Sequence, residues 1–81
     1  MPIVIMVDGY RLFFYSNEGA PREPIHVHVR RAECEVKVWI DPAIRPEESF
    51  GFNSSEVRAI IEHVTTHEAL IRRRWHEHFG S

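Results

Sequence analysis

Six histidines occur in 81 residues, and they fall into three pairs: His26-x-His28, His63-x-x-x-His67 and His76-x-His78. The run Ile25-His26-Val27-His28-Val29-Arg30 alternates apolar and polar, the period of a β-strand, so both of its imidazoles project from one face. The second pair has the spacing that stacks two rings on one face of a helix. Either pair could turn two nitrogens toward one metal ion. The third pair cannot do so on a helix, because residues two apart diverge by about 200° at 3.6 residues per turn. The Glu of a zincin motif is missing between His63 and His67, and no Cys ligand lies nearby. No cofactor or metal is therefore expected, and His26, His28, His63 and His67 are the only candidates for holding one. The plainer reading of the pairs is a polar strand face and surface histidines on a helix.

Acid–base chemistry is the other possibility for the strand pair. Arg30 shares its face, and the alternating run Cys34-Glu35-Val36-Lys37-Val38-Trp39-Ile40 adds Glu35, Lys37 and Trp39. Two imidazoles can divide the roles of base and acid in phosphodiester cleavage, while a cation holds the phosphate and an indole stacks a base. His26 and His28 are thus catalytic candidates, and Arg30, Lys37 and Trp39 substrate-binding candidates, for a metal-independent ribonuclease or other phosphodiesterase. Against this stands an ordinary antiparallel sheet, in which Trp39 covers an apolar patch under the helix and Glu35 and Lys37 are solvated. Arg72-Arg73-Arg74 complements the C-terminal end of a helix dipole and, beside Glu68 and Glu77, reads as an ion-paired surface. Cys34 lies in no activating motif and is given no role.

The elements that position these residues are legible from pattern. Ile3 to Val7 is apolar and β-branched, Tyr10 to Tyr15 is apolar and aromatic, and Asp8-Gly9 between them is a hairpin signal. Residues 16–24, rich in Ser, Asn, Gly and Pro, read as an ordered loop. The runs from Ile25 to Arg30 and from Cys34 to Ile40 form a second hairpin, with Val27, Val29, Val36, Val38 and Ile40 on its buried face. Asp41-Pro42 ends the strand, and Ala43 to Phe52 reads as an irregular crossing. Asn53 and Glu56 have the spacing of a helix N-cap and its reciprocal acceptor, so a helix starts near Ser54. Val57, Ile60, Ile61, Val64, Ile71, Trp75 and Phe79 then recur at spacings of three and four. As one rod this helix would run about 39 Å, against about 17–20 Å for strands of five or six residues. Either it bends near Thr65-Thr66, or its end overhangs the sheet and offers Leu70, Trp75 and Phe79 to another chain.

Ten Lys and Arg against 12 Asp and Glu give a net charge of −2, too near neutral for a general nucleic-acid binder, so nucleic acid is not the favoured partner. The acidic excess lies mid-chain, where residues 32–53 carry 2 positive and 5 negative side chains. One cysteine cannot form an internal disulfide, which makes a reducing cytoplasm the default compartment. The longest apolar runs are far shorter than the roughly 20 residues of a membrane span, and no basic region precedes the first of them. A chain of this length buries only about 60% of its unfolded surface, so a small protein partner or a second copy is expected to help cover it.

Ile25-His26-Val27-His28-Val29, preceded by Tyr15-Ser16-Asn17-Glu18 and the loop from Pro21 to Pro24, resembles the start of the bacterial family called domain of unknown function 4160. In that family a Tyr-Ser-Asn stretch leads into a Pro-His-x-His-Val strand, and the closing helix carries a His, a Leu, a Trp and an aromatic. His67, Leu70, Trp75 and Phe79 match that helix here. The likeness covers nearly the whole chain. It departs at Ile25, inserted between Pro24 and His26 where many members place Pro directly before His. The resemblance implies a small cytoplasmic protein with no settled activity, often encoded beside a domain of unknown function 2442 in an arrangement similar to toxin and antitoxin pairs.

These readings converge on a single α+β domain over residues 1–81: two β-hairpins in a small antiparallel sheet, packed against one long C-terminal helix. The expected core is Val27, Val29, Val36, Val38 and Ile40 with Ile3, Ile5, Leu12, Phe14, Ile60, Ile61, Val64 and Ile71. The leading functional expectation is an interaction module of a toxin–antitoxin-like pair, with Leu70, Trp75 and Phe79 as its interface; the alternatives are the phosphodiesterase and the metal-binding protein. With the valines buried beneath the helix, His63 and His67 are expected on the far side of the sheet from His26 and His28.

Overall fold

The computed structural model describes residues 3–16 and 23–80. Most of the loop predicted over residues 16–24 lies outside the described residues. Asp8 and Gly9 take φ values of 52° and 80°. Both central residues of a type I′ turn need this left-handed backbone, and here they join β1 (Ile3–Val7) to β2 (Tyr10–Phe13) as Asp-Gly predicts. The second expected hairpin is β3 (His26–Arg31) and β4 (Cys34–Trp39), in a register that sets Val27 against Val38 and Val29 against Val36.

A fifth strand, β5 (Arg45–Phe50), pairs with β4 where the sequence predicts an irregular crossing. The sheet is thus an antiparallel meander in the order β1-β2-β3-β4-β5. Pro46, Glu47 and Glu48 conceal the strand because they are poor strand formers. At a sheet edge only one side of the backbone is bonded, so the missing amide of Pro46 is tolerated, and the two carboxylates deter a further strand from adding.

The predicted long helix is two: α1 (Ser54–Thr66) and α2 (Glu68–Phe79), meeting at His67. At the start, the Asn53 side chain accepts from the Glu56 amide at 2.8 Å while Glu56 accepts from the Asn53 amide at 2.9 Å, the reciprocal cap the spacing predicts. The break has a local cause. Thr65 and Thr66 donate their hydroxyls to the carbonyls of Ile61 and Glu62 at 2.8 and 3.0 Å, and the His67 ring donates to the His63 carbonyl at 2.9 Å. Three successive side chains thus engage carbonyls four residues back, a pattern that bends helices. A straight rod of about 39 Å would also exceed the longest extent of the fold, 34 Å.

The bend returns the second half of the apolar stripe to the sheet. Ile60, Val64, Ile71 and Trp75 all bury against Leu12, Phe14 and the valines of β3 and β4. Trp75, expected in an exposed helix end, is only 2% accessible and packs edge-on against Phe14 with ring centroids 5.3 Å apart. It belongs to the core; Phe79, half-buried, packs against it with ring centroids 4.4 Å apart, and Leu70 is half-buried. Ile3 departs from the expected core in the other direction, at 54% exposure. The register of β1 shifts between Ile3 and Ile5, and one extra residue in a strand sends everything beyond it to the opposite face.

Candidate functional site

Both helices pack on the valine face, which leaves the other face of the sheet to the residues singled out for chemistry. Cross-strand register sorts them into rows, since directly paired residues project to the same side. One row runs Ile3, Phe13, His28, Lys37; a second runs Met6, Arg11, Arg30, Glu35, Phe50; a third runs His26, Trp39, Arg45. Period two therefore brings His26, His28, Arg30, Lys37 and Trp39 to one surface, as the strand pattern requires.

Glu35 is the hub of this face. The Tyr15 hydroxyl points at its two carboxylate oxygens, at 3.0 and 3.2 Å. The Nδ1 of His28 stands 3.5 Å from one of them, and the Arg30 guanidinium 3.9 Å from the other. His28 itself is stacked on Phe13, centroids 5.6 Å apart, and flanked edge-on by Tyr15 at 4.5 Å. Only 8% of His28 is exposed. Glu35 is no ordinary solvated residue of the strand; it accepts from the Tyr15 hydroxyl and stands beside both the His28 ring and the Arg30 guanidinium. A groove of about 350 Å³ opens beside this cluster, between β4 and β5, lined by His28, Glu35, Lys37, Glu47, Glu48 and Phe50.

His26 is placed differently from its partner. It is fully buried, with Trp39 and Trp75 each 5.2 Å away between ring centroids and His28 at 5.4 Å. Its Nδ1 lies 2.9 Å from the Pro24 carbonyl, which can only accept, so that nitrogen carries the proton. Trp39 is half-exposed and flanked by two cations: the Lys37 ammonium 4.2 Å from its ring centroid and the Arg45 guanidinium at 5.5 Å. Lys37 also pairs with Glu23 at 3.1 Å. The two candidate substrate-binding groups nearest the histidines are thus already engaged with side chains of the protein.

The helix histidines take no part in this cluster. His63 stands 3.4 Å from Asp8 and against Tyr10, and His67 is bonded back to His63, so neither joins the strand pair. Among the described residues no three His, Cys, Asp or Glu side chains come together as a metal site requires. Of the arginine run, Arg72 reaches Asp41 at 2.7 Å and Glu68 at 2.9 Å, and Arg74 reaches Glu77 at 3.0 Å. Asp41 first, and Glu68 second, raise the Arg72 pKa above its ordinary value by hydrogen bonding the charged form.

Tyr15, Phe13 and Glu35 are the site residues that pattern reading passes over. A signal was present: Phe13 and Tyr15 continue the period-two face of β2, and Glu35 lies between Arg30 across the ladder and Lys37 along its own strand.

An antiparallel meander with helices on one side only, and a polar–aromatic cluster on the other, defines an open-faced α+β domain. The chain belongs to the family described as Domain of unknown function (DUF4160), whose model matches residues 9–76. No curated protein and no solved structure matches it. Among the described residues no helix is long and apolar enough to cross a membrane.

Proposed function

We propose that this chain is a protein-interaction module, one member of a pair of the toxin–antitoxin kind acting in the cytoplasm, and that its partner docks on the open face of the sheet. The observation that carries this reading is the distribution of exposed large apolar side chains. Ile3, Met6 and Phe50, at 54, 57 and 68% exposure, all belong to the rows on that face. Two of them mark opposite ends of a single row, so a partner strand or helix laid across the sheet would meet Met6 and Phe50 together. Set on one face with charged side chains between them, these groups offer a partner wide enough to cross the sheet separate apolar anchors and polar contacts in the same row. The interface candidate of the sequence reading moves accordingly, from the helix end to the sheet.

The test is co-expression with a protein of the domain of unknown function 2442 family, the partner the family resemblance implies. A stable complex on size-exclusion chromatography is expected, and it should be lost in a Met6→Lys, Phe50→Lys double variant whose circular dichroism matches the parent. A parent chain that stays monomeric in that mixture, or a complex indifferent to both substitutions, removes the reading.

A second reading is favoured by one arrangement, His28 held against Glu35 and Tyr15 beside an open groove. Burial of His26 disfavours a two-histidine ribonuclease; a single-histidine acid–base site, with Glu35 orienting the His28 ring, is the form of phosphodiesterase that the geometry supports. Cleavage of a short RNA that persists unchanged in His28→Ala would eliminate it.

A further inference from the structure

Arg11 and Arg30 face each other directly across β2 and β3, on the open face of the sheet. Two like charges in direct cross-strand register repel, and a sheet ordinarily avoids the pairing. Arg30 has one weak counter-charge, Glu35 at 3.9 Å, and that carboxylate is already shared with Tyr15 and His28. Among the described residues Arg11 has none, and its buried Nε meets no hydrogen-bond acceptor there. Both arginines line a concavity of about 290 Å³ at the end of the sheet, together with Arg31, Met6, Gly9 and Ala32. Arg31 differs from the other two in being neutralised already, by Glu56 at 3.3 Å, and fixed by the Tyr10 hydroxyl at 2.9 Å.

We propose that this concavity is an oxyanion site that takes a dianionic phosphate, free or as a monoester, between the guanidiniums of Arg11 and Arg30. Charge selects the ligand. Among the described residues Arg11 meets no counter-charge and Arg30 only a weak, shared one, so a carboxylate would balance only half of the pair, whereas a phosphate monoester at about −1.5 to −2 balances both. Register agrees, since the two arginines stand directly opposite on adjacent strands and line one concavity; the Arg30 Nε–H already donates to the Ala32 carbonyl at 3.3 Å, so its terminal N–H groups, with those of Arg11, are the donors a tetrahedral anion would take. The buried Nε–H of Arg11, which has no acceptor within the described fold, is the donor such an anion would satisfy. This site shares Met6 and the row from Arg11 to Arg30 with the partner surface proposed above, but it is argued from charge and not from that reading: anion binding by the isolated chain tests it whether or not a partner docks.

The experiment titrates the full chain in a chloride buffer of low ionic strength, following the arginine Nε–Hε resonances by NMR. Four probes are used: inorganic phosphate, glycerol 1-phosphate, dimethyl phosphate and acetate. Saturable shifts of Arg11 and Arg30 are expected with the first two, with the monoanions bound at least about tenfold more weakly. Arg11→Gln should weaken phosphate by about tenfold or more, while Arg73→Gln on the exposed side of α2 changes it by less than about twofold. Equal binding of all four probes, non-saturating shifts, or an equal loss in Arg73→Gln would overturn the proposal in favour of general ionic attraction. Melting supplies an independent sign. In chloride alone Arg11→Gln should melt above the parent, because a repulsion has been removed, and in saturating phosphate it should melt below it. A variant that melts below the parent in both buffers would show Arg11 to be a purely structural residue.

Discussion

His26 and Trp75 meet edge to face with ring centroids 5.2 Å apart, so the first residue of the histidine strand and the third turn of the last helix form one contact. That contact joins the candidate site to the core. It explains why His26 is buried while its neighbour two residues on reaches the groove, and why the end of the helix is not an exposed arm. Trp75→Ala should therefore act on stability. A cost of about 3–5 kcal/mol is expected for emptying so large a buried site, which would remove most of the stability of a domain this small. Urea denaturation checks it, and a Trp75→Ala chain with an unchanged midpoint would place the indole outside the core.

Tyr15 and Glu35 hold the open face together at 3.0 Å. A hydrogen bond to a charged group contributes about 1.5–3 kcal/mol when well buried; with Glu35 27% exposed, the lower end is expected. In a double-mutant cycle of Tyr15→Phe and Glu35→Gln, the two effects should fall short of additive by about 1 kcal/mol. Strict additivity would mean the two side chains do not interact in solution.

Two positions of positive φ predict opposite signs. Ala32 sits in the turn between β3 and β4 at φ 54°, a conformation that costs a residue with a Cβ about 1 kcal/mol or more. Ala32→Gly should accordingly stabilise the protein by about 0.5–1 kcal/mol, net of the greater freedom of glycine when unfolded. Gly51 lies at φ 92°, and a Cβ there would stand 2.6 Å from the Cys34 sulfur. Gly51→Ala should destabilise by about 1–3 kcal/mol, and Cys34→Ala should rescue only the part due to the clash. Thermal melts of the three variants decide both signs.

Arg72 ties α2 to the end of the β4 segment through Asp41, with side chains 36 and 40% exposed. Solvent screens a pair this open, so Arg72→Gln should cost only about 0.5–1 kcal/mol. Folding raises the Arg72 pKa, so its contribution is complete below the unfolded value and is lost only as pH climbs through the still higher folded one. The stability difference between parent and variant should therefore not shrink between about pH 7 and pH 10. A gap that closes across that range would assign the pair's effect to another group.

Much of this was readable from residues alone, and the limits are physical. Asp8-Gly9, the alternation through β3 and β4, and the Asn53 to Glu56 cap act over four residues or fewer, so their signals survive in any context. The same holds for the shared face of His26 and His28, which period two determines wherever the strand lies. Arg45–Phe50 could not be read as a strand because its pairing comes wholly from β4, and its own residues argue against one. Nor could Glu35 be read as a hub, since Tyr15 lies 20 residues away in the chain, just past the end of β2.

The sequence by itself determined the α+β class, the two hairpins, the valine core face and the surface on which the histidines lie, because alternation and turn chemistry are local. Only the tertiary structure decided that the helix breaks at His67, that Trp75 folds into the core against His26, and that Arg11 is set beside Arg30. Those outcomes depend on which distant segments meet, and burial, charge pairing and strand register are properties of the meeting and not of either segment alone.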